Sequence, residues 1–135
     1  MRNARILPKR LREVVITMAC AVAASSAAAE LVEVTLAPGQ AVEKRLAVAP
    51  GKFAELCSAL RRGQVVLWQF RGDAATDFNI HYHVDKRVEY PEQRTNIKDA
   101  SGRLVIESEQ GYCWMWTNRS TAPVVVEVTL KETSR

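Results

Sequence analysis

The chain predicts an all-β fold, an antiparallel β-sandwich of about seven to eight short strands. Three observations carry that prediction. Apolar and polar residues alternate along several runs, most cleanly in Phe78-Asn79-Ile80-His81-Tyr82-His83-Val84. Turn-forming clusters such as Ala37-Pro38-Gly39, Ala49-Pro50-Gly51 and Asn118-Arg119-Ser120-Thr121 punctuate those runs. Valine and the large aromatics concentrate between the turns, and all three tryptophans lie in two segments, Val65 to Phe70 and Gly111 to Asn118.

The elements follow in order. Leu31 to Leu36 alternates, with Val32, Val34 and Leu36 on one face. Val42 to Val48 is a weaker second strand. The segment near 53–61 departs from the β pattern. Phe53, Leu56, Cys57 and Leu60 fall at i, i+3, i+4 and i+7, and Gly63 stands where a helix would stop, so one short helix is predicted there. Gln64 to Arg71 reads as a central strand and Gly72 to Asp77 as a loop. In Phe78 to Val84, Phe78, Ile80, Tyr82 and Val84 share one face, while Asn79, His81 and His83 share the other. Asp85 to Ala100 is polar, contains Pro91 and lacks periodicity, which predicts a long functional or mobile loop. Arg103 to Ser108, the tryptophan strand Gly111 to Asn118 and Val124 to Leu130 complete the set. The first and last strands are expected to be neighbours.

Residues 1–29 read as a signal peptide. Arg2, Arg5, Lys9, Arg10 and Arg12 make a basic start, Val14 to Ala24 an apolar stretch, and Ala27 and Ala29 the small pair before the cut. The apolar stretch is much shorter than the ~20 residues that span a bilayer. Residues 30–135 then form one domain, expected to be soluble in the periplasm or secreted. The leader carries the whole net charge of +4, so the remainder is neutral. A neutral domain without basic runs gives no reason to expect a nucleic-acid partner, and no second apolar segment predicts a membrane span.

Two cysteines remain after the leader, Cys57 and Cys113. Export favours a disulfide between them; two buried free thiols are the alternative.

Laid out in this way, the chain resembles the Golgi-dynamics (GOLD) domain, the β-sandwich of luminal cargo receptors and some lipid-transfer proteins. Cys57-Ser58-Ala59-Leu60 to Gly63 with Val66-Leu67-Trp68-Gln69-Phe70 looks like the family's cysteine, glycine and W-x-F strand. Asp77 to Tyr82 looks like its D-I-x-F strand, with one extra residue after the acid. Gly111-Tyr112 through Trp116-Thr117-Asn118 looks like its G-x-Y strand closing on an aromatic-x-Asn turn. The second cysteine departs from the pattern. Met115 stands in the receptors' position and Cys113 lies two residues earlier, a shift that keeps the strand face. The coiled coil and membrane span of the receptors are absent from this sequence, so their trafficking role does not transfer. The resemblance is closer to small exported bacterial GOLD-like proteins and implies a fold rather than an activity.

Candidate sites are few. His81 and His83, at i and i+2 on one strand face, are placed to share a copper or zinc ion, with the third ligand unnamed; Asp85, Glu89 and Met115 are candidates. Otherwise the histidines belong to a solvated polar face. A blue-copper cluster is disfavoured because no histidine follows Cys113-Trp114-Met115. Trp114 and Trp116 share a face with Tyr112, and Cys113 and Met115 share the opposite one. If the cysteine side is the buried one, Trp114 and Trp116 form an exposed interaction surface. Asn118-Arg119-Ser120 fits a glycosylation sequon, relevant only in a eukaryotic secretory pathway. No nucleophile elbow, phosphate loop or Cys-x-x-Cys pair is present. The expectation is an exported, non-catalytic binding module of the cell envelope without a cofactor, engaging an unknown envelope protein or ligand. The alternative is a periplasmic copper- or zinc-binding protein using His81 and His83.

Overall fold

A computed structural model describes residues 29–133; all of the proposed leader but its last residue lies outside them. Seven strands account for the fold: β1 Glu30–Glu33, β2 Ala41–Val48, β3 Phe53–Leu60, β4 Val65–Val84, β5 Arg87–Val105, β6 Gln110–Thr117 and β7 Val124–Glu132. They form one sheet in the order β1-β3-β6-β4-β7-β2, with β5 paired to β4. All pairs are antiparallel except β1 with β3.

The long strand β4 gives the sheet its shape. Its first half, Val66 to Gly72, pairs with β7, and its second half, Asp77 to Tyr82, pairs with β6. β5 follows β4 through both halves, with register shifts between Arg71 and Thr76. Such a bend lets one strand belong to two layers. Gly72 sits at the bend, where a Cβ would come within 2.6 Å of the Ala74 carbonyl oxygen. The sheet therefore folds over on itself, with β1-β3-β6 on one side and β7-β2 on the other.

The core fills the space between the layers. Alternate residues of each strand point into it: Leu46 and Val48 of β2; Ala54, Leu56 and Leu60 of β3; Val66, Trp68, Phe70, Phe78 and Ile80 of β4; Tyr112, Trp114 and Trp116 of β6; Val124, Val126, Val128 and Leu130 of β7. Aromatic rings cluster at its centre. Phe78 lies 5.1 Å from Trp68, 4.7 Å from Phe70 and 5.6 Å from Trp116, and Phe70 meets Trp116 edge-on at 5.5 Å. Trp68 packs across the sheet onto Gly102 of β5, its register partner. A Cβ at Gly102 would lie 2.5 Å from Cζ2 of that ring. Gly102→Ala is accordingly expected to destabilise the domain by about 2 kcal/mol through overpacking, read as a lower urea midpoint.

Several sequence expectations are corrected. The segment near 53–61 is strand β3, not a helix. Pairing with β6 on one edge and, from Ala54 to Cys57, with β1 on the other engages its backbone, and Ala54, Leu56, Ser58 and Leu60 point inward at period two. The 72–77 loop is part of β4. The polar stretch 85–100 is mostly β5, joined to β4 by a tight turn with Asp85 at φ +53°. Its residues from 87 to 99 are nearly all exposed or half-buried, so burial imposes no alternation there. The first and last strands are not neighbours: β1 pairs with β3, and β7 lies between β2 and β4.

Candidate functional site

The outward face of the β1-β3-β6-β4 layer carries the chain's most concentrated chemistry. Cross-strand register explains why. Asn79, opposite Met115, and His81, opposite Cys113, lie along β4; Cys113 is opposite Cys57, and Met115 opposite Glu55, on β3. Directly opposed residues share a sheet face. The alternation that sends Tyr112, Trp114 and Trp116 inward sends Cys113 and Met115 outward.

Cys57 and Cys113 are disulfide-bonded. They are register partners on adjacent strands, with Cα atoms 4.1 Å apart. Glu55 lies beside them, one carboxylate oxygen 3.7 Å from Cys57 Sγ and 3.8 Å from His81 Nε2. Donor atoms of Glu55, His81 and Cys113 all fall within 4.8 Å of one another. His81 Nδ1 donates to Asn79 Oδ1 at 2.8 Å. Because that nitrogen carries the proton, a neutral His81 turns the lone pair of Nε2 toward Glu55.

The two histidines differ in exposure. His81 is buried, 6 % exposed, beneath Tyr90 of β5, whose ring centroid is 6.0 Å away. His83 is exposed and stands edge-on to His81 at 5.4 Å. The sequence places both on one face, as found, but the polar face is only partly solvated. His83 is not among the converging donors. Glu55 is, and the sequence analysis missed it because a helical reading of 53–61 separated Glu55 from the strand face it belongs to.

Burial holds the His81 imidazole below its ordinary range, and repulsion from His83 lowers it further. Burial pushes the Glu55 carboxyl up, and His83 draws it partly back. The 3.8 Å contact between the two is too long for a hydrogen bond and offsets burial on neither side. The linkage signs follow. His81 binds its proton more readily unfolded than folded, so its contribution is fully present above about pH 6.5 and is lost as pH falls through the lower folded value. Glu55 acts oppositely: its contribution is present at acid pH and lost as pH rises through its raised folded value. Against the opposite contribution of Glu55, His81→Gln is expected to remove the destabilisation that the imidazole adds as pH drops below about 6.5, so that the variant's urea midpoint falls less with acid than the wild type's. Asp77, held below its ordinary value chiefly by its hydrogen bond to Arg119, titrates at more acid pH and does not overlap.

Exposed apolar side chains flank this cluster. Leu31 and Phe53 lie at its β1-β3 side, and Val88 and Tyr90 at its β5 side. The opposite outer face differs. There an open groove of about 760 Å³ is lined by charges of both signs, among them Glu43, Arg45, Arg71, Asp99 and Glu127.

Trp114 and Trp116 are fully buried in the core. The exposed tryptophan surface is therefore corrected: the cysteine face is the outward one. Asn118 is buried as well, and its side-chain nitrogen donates to the Val48 and Ala122 carbonyls, so the sequon offers no glycan acceptor. Among the described residues no helix is long and apolar enough to cross a membrane.

No protein-family profile matches the chain, and no curated protein matches it. Solved structures do. A periplasmic lysozyme inhibitor of g-type lysozyme, PliG, from Salmonella Typhimurium superposes with a TM-score of 0.58 at 13% identity, covering 77% of this chain and 98% of that one. PliG from Aeromonas hydrophila gives 0.56 at 11% identity, covering 78% and 100%. A pre-peptidase C-terminal domain of Bacillus anthracis collagenase gives 0.56 at 9% identity, covering 76% and 96%. The chain is similar to these proteins in fold.

Proposed function

We propose that this chain is an exported, non-catalytic binding module of the cell envelope whose partner is a protein, engaged by the outward β1-β3-β6-β4 face. The observation that carries this reading is the clustering of Leu31, Phe53, Val88 and Tyr90 around a buried polar centre on one face. Exposed aromatic and aliphatic side chains around such a centre suit protein recognition. A disulfide supports export, and the periplasmic inhibitors that share the fold bind a protein, lysozyme. We also read the domain as GOLD-like, on the strength of its cysteine pair and its aromatic-x-Asn turn.

The first partner to assay is g-type lysozyme, followed by cross-linking to envelope proteins in extracts of a bacterial host. Residues 30–135 are expected to capture one protein saturably, and Phe53→Asp with Tyr90→Asp to abolish that capture while leaving the fold intact. Capture that survives both changes, or that is lost on altering Arg45 and Glu127 instead, removes this face from the reading.

A copper- or zinc-binding role for His81 and His83 is the second reading. Their 5.4 Å ring separation and the nearby Glu55 carboxylate favour it. Titrating Cu²⁺ into the oxidised protein, with His83→Ala as control, tests it; binding that ignores His83 sinks it.

A further inference from the structure

The disulfide on this face has unusual company. A bridge that served stability alone would need no acid or imidazole beside it, yet Glu55 and His81 meet at its sulfurs. We propose that reducing the Cys57–Cys113 bridge opens a zinc site, with both thiolates, His81 Nε2 and the Glu55 carboxylate as ligands.

Geometry supports each ligand. Tetrahedral zinc with its usual bond lengths needs donor atoms roughly 3.4–3.8 Å apart. Glu55 already lies 3.7 Å from Cys57 Sγ and 3.8 Å from His81 Nε2, and Cys113 completes a group within 4.8 Å. Cleavage of the S–S bond supplies two thiolate donors that the oxidised face lacks, and thiolates with imidazole suit zinc. His81 is set for the task. Asn79 accepts from its Nδ1, which fixes the tautomer and leaves Nε2 bare, as an outer partner does for a metal-bound histidine. The backbone pairing of β3 with β6 sets the two cysteines opposite each other.

The chemistry balances with a dithiol as reductant. Its two thiols pass two electrons and two protons to the bridge, forming its own disulfide and leaving two cysteine thiols. Zinc then displaces both thiol protons. The bridge is reachable, since Cys113 is half-buried on the outward face. The bound and bridged states exclude each other, so the face carries a different surface in reducing and oxidising surroundings. This inference is independent of the protein-binding reading, and it differs from the histidine-pair reading in requiring reduction and in not requiring His83.

The test compares residues 30–135 oxidised and reduced with a phosphine, which competes weakly for the metal. Zinc affinity is read by competition with a chromophoric chelator, and coordination by the thiolate-to-metal absorption of a Co²⁺ sample. The reduced protein is expected to bind one ion per chain with thiolate absorption; the oxidised protein is expected to show none. His81→Gln is expected to weaken binding by at least ~10-fold and Asn79→Ala by about 10- to 100-fold, with His83→Ala close to wild type. No binding after reduction, binding without thiolate absorption, or His81→Gln at wild-type affinity overturns the proposal. If the reduced, metal-free chain loses its β signal in circular dichroism, zinc is expected to restore it in the wild type and not in His81→Gln; failure to restore it also overturns the proposal.

Discussion

Asn118→Ala is expected to lower stability by about 4 kcal/mol, a fall in melting temperature of roughly 15–30 °C for a domain of this size. The side chain is fully buried and uses all of its hydrogen-bonding capacity. Its nitrogen donates to the Val48 carbonyl at 2.9 Å and to the Ala122 carbonyl at 2.7 Å. Its oxygen accepts from the Ser120 amide at 2.9 Å and the Ser120 hydroxyl at 2.7 Å. The backbone of the same residue pairs with Gly51 and Lys52. One residue thus ties the end of β6 to the end of β2 and shapes the turn into β7. Alanine leaves the Val48 carbonyl buried without this donor and frees the turn. Asn118→Asp keeps the shape but aims a charge at two carbonyl oxygens, so it is expected to cost at least as much. Ser120→Ala removes one hydroxyl from an exposed residue and is expected to cost only about 1 kcal/mol. Equal losses for Ser120→Ala and Asn118→Ala in urea titrations would show that the turn, not the buried amide, carries the energy.

Replacing Cys57 and Cys113 together with alanine is expected to cost about 4 kcal/mol. The cysteines are 56 positions apart in sequence, and the cost is the chain entropy that the bridge removes from the unfolded state. Because the β3-β6 ladder already aligns the two positions, the folded state changes little. The effect should therefore appear in the unfolded ensemble. The variant is expected to show a steeper urea dependence than the bridged protein, since its unfolded chain exposes more surface. A lower midpoint with unchanged slope would place the loss in the native packing instead.

Much of the fold is legible in the sequence because core strands must alternate. Phe78 to Val84 and Val124 to Leu130 announce both their strands and their inward faces. The tryptophan strand is legible as a strand, but alternation alone leaves open which face is buried. Burial of Trp114 and Trp116 settles that, and the disulfide faces out. Two stretches mislead for opposite reasons. In β3 an apolar residue on the outer face, Phe53, and a bridged cysteine complete a false helical stripe. In β5 no side chain from Arg87 to Asp99 is fully buried, so burial imposes no alternation on that stretch. The first error has a functional cost: Glu55 reads as a helix residue and is lost as the partner of His81. The buried state of His81 is equally invisible, because it depends on Tyr90 reaching across from a strand that the sequence presents as a loop.

The pairing of β7 between β2 and β4 sets the order in which this protein can come into being. Ala41 at one end of the domain pairs with Lys131 at the other, and Val66 to Gly72 pairs with the same last strand. Until that strand arrives, β2 has no partner in the sheet and one side of the aromatic core stands open. Contacts so distant along the chain close slowly. A polypeptide emerging from the ribosome therefore has no complete sheet to settle into before Val124–Glu132 is made. Such a delay keeps the chain threadable, the state that the proposed export would need.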